Sequence, residues 1–100
     1  MSEELENIAS LPRSVTIPPE VLFQEVEDEM VLLNLQSEHY YGLDEMGKRI
    51  WQLLAEHQDV ATVLERLLVE FDVDEAVLRR DLARLIHELV EAGLATASAD

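Results

Sequence analysis

Two hydrophobic periods divide the chain. Between Val21 and Tyr41 the apolar residues recur at every second position, imperfectly in Val21–Glu27 and more clearly in Met30–Ser37. In the latter, Val31, Leu33 and Leu35 fall on one side and Leu32, Asn34 and Gln36 on the other, which predicts a strand. Glu27-Asp28-Glu29 and Ser37-Glu38 predict turns, and His39-Tyr40-Tyr41 predicts a short third strand. From Asp44 onward the period becomes 3.6. Asp44 predicts an N-cap, with Met46, Ile50, Trp51, Leu53 and Leu54 on the buried face of a first helix. Asp59 predicts the cap of a second, carrying Val60, Val63, Leu64, Leu67, Leu68 and Phe71. Asp72 or Asp74 opens a third, with Leu78, Leu82, Leu85, Ile86, Leu89 and Val90 inward, and Gly93 predicts its C′ residue.

Three strands followed by three helices, with short connections, predict one α+β domain: a three-stranded antiparallel sheet, then a three-helix bundle. Its expected bounds are 15–95. Residues 1–14 lack a sustained period and read as a loose arm, Pro18-Pro19 mark the start of the folded part, and 96–100 read as a short tail. One hundred residues suffice for a single core, and with aromatics at 5% that core must be aliphatic.

Charge narrows the partners. Residues 1–45 hold eleven acids and one base, Arg13; residues 46–100 hold eleven acids and six bases, giving the formal net charge of −15. Such a surface repels phosphate backbones and anionic membranes, so neither nucleic acid nor membrane is an expected partner, whereas a neutral or basic peptide is. The absence of cysteine removes disulfides, thiolate metal sites and thiol nucleophiles. Without a signal pattern or an apolar run of membrane-spanning length, the expected location is the cytoplasm.

Catalytic chemistry has little to stand on. His87 and Glu91 have i, i+4 spacing, but a zinc site normally needs three or four protein ligands. No HExxH, nucleophile-elbow or phosphate-loop pattern occurs. No catalytic residue, metal or cofactor is therefore expected. A winged-helix regulator would need a positive reading face, yet residues 74–93 carry five acids against three bases.

Residues 38–54 concentrate both tyrosines, the tryptophan and two of the three glycines. A strand-to-helix corner accounts for them, with Gly42 at the bend and Trp51 as a core plug. A second property of the same segment is that no later strand is predicted to cover the third one. An open edge offers unpaired N–H and C=O groups to another chain, or to a second copy of itself. On the third helix, Val77, Arg80, Asp81, Arg84 and Glu88 form a stripe flanking the apolar face. Intrahelical ion pairing explains the charges; a groove between this stripe and the edge strand is the alternative, able to take an extended peptide by strand addition.

The run Tyr40-Tyr41-Gly42-Leu43-Asp44, then Gly47, Arg49-Ile50-Trp51 and Leu53-Leu54, resembles the PqqD-like family. It is most similar to the leader-binding half of the split B protein of lasso-peptide pathways. The resemblance spans about residues 15–95. It implies a winged-helix-like recognition element for ribosomally synthesised, post-translationally modified peptides. In such an element the precursor's leader adds to the third strand and packs against the third helix. Carried onto this sequence by element, the implied peptide-binding residues are Glu38, His39, Tyr40, Tyr41, Gly42 and Leu43 on one wall. On the other they are Val77, Arg80, Asp81, Arg84, Leu85 and Glu88. The implied enzyme partner is a separate cysteine-protease leader peptidase or, in the pyrroloquinoline quinone pathway, a radical SAM enzyme.

Overall fold

The computed structural model describes residues 11–98. The expected loose arm lies outside these residues for positions 1–10. Within them run β1 (Ser14–Thr16), β2 (Val21–Val26), β3 (Glu29–Asn34), β4 (Tyr40–Leu43), α1 (Glu45–His57), α2 (Val60–Glu70), α3 (Glu75–Glu91) and β5 (Thr96–Ser98). The three strands and three helices read from the periodicity are all present, in the α+β order expected.

β2, β3 and β4 form an antiparallel meander in that order. Val21 pairs with Asn34, and Leu32 with Phe23 on one side and Tyr41 on the other. Paired residues share a face, so Val21, Met30, Leu32, Tyr41 and Leu43 point toward the helices. Met30 and Leu32 are fully buried, each contributing roughly 1.5–3 kcal/mol of burial. The helical contribution to the same core comes from Ile50, Trp51, Leu53 and Leu54 of α1, Val60, Val63, Leu64 and Leu67 of α2, and Leu78, Leu82, Ile86 and Leu89 of α3. Val90, expected inward, is instead partly exposed.

Aspartate starts every helix. Asp44 accepts from Gly47 N (2.8 Å), Asp59 from Thr62 N (3.1 Å) and Asp74 from Ala76 N (2.8 Å). Each satisfies an N–H that the helix leaves without a partner. At the other end of α3, Gly93 takes φ +74°, and Leu94 N donates to Leu89 O, closing the helix as a Schellman turn.

Two short strands escaped the pattern. β1 pairs antiparallel with β5, Val15 opposite Ala97, and Arg13 N donates to Ser98 O. Ordered structure thus begins upstream of Pro18-Pro19, with Val15 wholly buried, and the segment expected as a tail begins with a strand. Asn34 is the buried polar residue among those described. Its amide donates to Gly93 O, and its oxygen accepts from Gln36 N and Ser37 N. One side chain therefore fixes the β3–β4 turn and ties it to the end of α3.

Candidate functional site

β4 is an edge of its sheet, and among the described residues no strand pairs with its far side. Asn34 N donates to His39 O, which sets the ladder's phase. In an antiparallel pair, hydrogen-bonded positions alternate. Tyr41 and Leu43 therefore turn their backbone groups toward β3, and Tyr40 and Gly42 turn theirs toward the open edge. Tyr41→Pro would break the sheet's own ladder; the donors free for another chain belong to Tyr40 and Gly42.

Beside this edge lies an open groove of about 480 Å³. One wall is Tyr41, Gly42 and Leu43, the opposite wall Asp81, Arg84 and Leu85, and the floor Met46, Gly47 and Ile50, with Asp44 at the corner. The floor exists because α1 starts immediately after β4. Gly47 lets the two elements approach: a Cβ there would sit 3.2 Å from both Asp44 Oδ1 and Leu43 Cδ2.

The groove brings together six of the twelve residues expected on its walls: Tyr41, Gly42, Leu43, Asp81, Arg84 and Leu85. Glu88 lies one turn beyond them and accepts a hydrogen bond from the Tyr41 hydroxyl. Val77 and Arg80 lie on α3 outside the lining. Glu38 and His39 precede the strand, which runs Tyr40–Leu43 rather than from His39. The Tyr40 side chain, 76% exposed, shares the outer face of the sheet with Leu22, Val31 and Leu33. Gly42 is not a bend: it lies within the strand, and a Cβ there would meet open space. The floor residues Met46, Gly47 and Ile50 were missed as site residues, because apolar positions on a helix read as core. The signal available was a glycine in the first turn of α1, where helix propensity alone favours alanine.

Electrostatically the groove is mixed, with Asp44 and Asp81 against Arg84. The hydrogen bond to Glu88, then burial, then the negative charges of Glu88 and Asp44 push the Tyr41 phenol up to about 12. It stays protonated and remains a donor. Intrahelical pairing is seen for Arg79 with Glu75 at 3.2 Å, not for the groove's Arg84, which makes no ion pair among the described residues.

This arrangement can hold an extended chain: backbone groups along one side, an apolar floor beneath, and charges at the rim. The model of the family described as coenzyme PQQ synthesis protein D (PqqD) matches residues 29–95. A PqqA binding protein from Rhodopseudomonas palustris (strain TIE-1) is 30% identical over 74 residues, which are 74% of this chain and 71% of that protein. The structure of TbiB1 in complex with the TbiA(beta) leader peptide superposes with a TM-score of 0.77 at 35% identity, covering 85% of this chain and 99% of that one. A lasso peptide synthetase B1 complexed with the leader peptide gives 0.73 at 30% identity, covering 83% and 98%. With two-thirds of its length matched by the family model, and with the β4–α3 groove inside that match, the chain belongs to the PqqD family.

Proposed function

We propose that this domain is a non-catalytic adaptor. It binds the leader of a ribosomally synthesised precursor peptide by strand addition to β4, against α3, and presents the peptide to a processing enzyme. The observation that carries the reading is the open edge of β4 running along an apolar-floored groove. The leader-bound structures, similar over nearly their whole length, support the same ligand. Main-chain bonds to Tyr40 and Gly42 supply sequence-tolerant affinity, and side chains seated over Leu43, Met46, Ile50 and Leu85 supply selectivity. The adaptor assists its enzyme by raising the local concentration of substrate.

A cysteine-protease leader peptidase in the cytoplasm is the processing enzyme we favour. With no cysteine, this chain supplies no such nucleophile itself. A radical SAM enzyme is the second reading, favoured by the family match and by the PqqA binding relative. Both readings use the same groove.

Titration with the synthetic leader of the precursor encoded beside this chain, followed by amide NMR, tests the adaptor. Saturable shifts concentrated at 40–50 and 81–88 are expected. A folded domain that leaves the leader unbound refutes it. Adding either purified enzyme to the loaded domain then distinguishes the two readings.

A further inference from the structure

The groove has unlike ends. Around Leu43 it is open, with Met46 and Ile50 beneath and Leu85 on the opposite wall. Toward the C-terminal end of α3 the Tyr41 side chain leaves its strand and reaches Glu88. Among the described residues this is the hydrogen bond that joins β4 to α3, and no ion pair joins them. Glu88 sits one helical turn past Arg84 and Leu85, so the bond lies beyond the helical wall of the groove and crosses the gap there.

We propose that the Tyr41–Glu88 bond closes one end of the groove and makes the adaptor select a small side chain in the bound peptide, two residues from its apolar anchor. The inference rests on strand addition at β4, as proposed above. A strand added there places its inward side chains beside those of β4 that face inward, Tyr41 and Leu43. Successive inward positions are two residues, roughly 6.6 Å, apart. The peptide residue beside Leu43 drops onto the apolar floor and becomes the anchor. The inward neighbour on the other side meets the phenol already stretched to Glu88. A bulky side chain there displaces Tyr41 and leaves the half-buried Glu88 carboxylate without its donor; glycine, alanine or serine leaves the bond in place. The phenol stays protonated well above neutral pH, so the closure persists under working conditions.

The probe is a fluorescein-labelled synthetic leader followed by anisotropy. An alanine scan locates the anchor as the position of greatest loss. Tryptophan is then placed two residues before it, or two after. On the wild-type domain one of these two peptides is expected to lose at least tenfold in affinity relative to the native leader. On Tyr41→Ala the same peptide is expected to lose less than threefold. Glu88→Ala relaxes the penalty from the helix side, and serves alone should Tyr41→Ala fail to melt cooperatively. Tyr41→Phe, which keeps the ring and loses the bond, should fall between. The proposal is overturned if both tryptophan peptides bind wild type like the native leader, or if the penalty is the same in the variants. Failure of the native leader itself to bind removes the adaptor reading and this inference with it. Normal leader binding with an unrelieved tryptophan penalty removes the closure alone.

Discussion

Among the described residues the meander has two open edges, and they are built differently. At β4 the residues whose backbone faces outward, Tyr40 and Gly42, carry no side chain into the interior. The inward-facing Tyr41 and Leu43 instead line a gap between strand and helix. At β2 the ladder has the opposite phase, because Leu35 N donates to Glu20 O. Phe23 and Glu25 therefore present both their backbone to the open edge and their side chains to α1. There Phe23 meets Trp51 with ring centroids 5.0 Å apart, and Glu25 pairs with Lys48 at 2.8 Å. Lys48 also donates to Glu27 O. Unpaired N–H and C=O groups are thus common to both edges. The difference is that side chains strap β2 directly onto its helix, whereas β4 faces α3 across an apolar-floored gap that the Tyr41–Glu88 bond crosses only at one end. An open strand becomes a binding site when a groove beside it can bury the incoming side chains, since a lone added strand gains little in water.

The largest effect is expected at the groove wall. Leu85→Asp places a carboxylate where the anchor should seat, and is expected to weaken leader binding at least 100-fold, about 3 kcal/mol. Phe23→Asp at the strapped edge should leave leader affinity within twofold. Anisotropy with both variants reads the contrast, and comparable losses would show that the edges are equivalent. Next in size is Asn34→Ala, which strips partners from Gly93 O, Gln36 N and Ser37 N. Urea unfolding should show a loss of about 2 kcal/mol. Leader affinity should fall too, because the same side chain sets where α3 ends relative to β4. Gly42→Pro removes one outward donor while sparing the β3–β4 ladder, and its effect should be about tenfold in affinity with unchanged far-UV circular dichroism.

Helices and their starts were legible because each signal is local: a 3.6 period behind Asp44, Asp59 or Asp74 is complete within a dozen residues. The strands of the meander were legible in type but less so at their ends. His39 reads as strand by composition, yet in the turn held by Asn34 it only accepts a bond from Asn34 N, and the strand starts at Tyr40. β1 and β5 were invisible, since three residues show no period and each strand finds its pairing partner at the opposite end of the chain. The groove was half legible. Its two elements followed from the order of strands and helices and from the family resemblance. Its floor did not, because Met46 and Ile50 serve the core and the groove with one helical face. Nor did the direction of Tyr40, which depends on a ladder phase set by one hydrogen bond.

Alkaline pH sharpens the difference between the edges. The Tyr41 phenol is raised from its ordinary 10 to about 12 by Glu88, burial and nearby carboxylates. A phenol that ionises later in the folded chain than in the unfolded one stabilises the fold fully below pH 10. That contribution is lost as pH climbs toward 12. Tyr41→Phe should flatten this part of the stability profile, and substitution at Phe23 should not.

The smallest expected effect lies at the strap on β2. Lys48 is largely covered, its side chain 17% exposed, while its partner Glu25 is 48% exposed. Solvent screens such a pair, so Lys48→Ala should cost at most about 1 kcal/mol, and the cost should shrink as salt rises. Leader affinity should not change. The informative outcome is a third one: if Lys48→Ala freed β2 enough to take up the leader or a second copy, stoichiometry by sedimentation would rise above one peptide or one chain. The strap would then be what confines peptide binding to β4. If stoichiometry stays at one, the groove beside β4 is sufficient by itself to choose the edge.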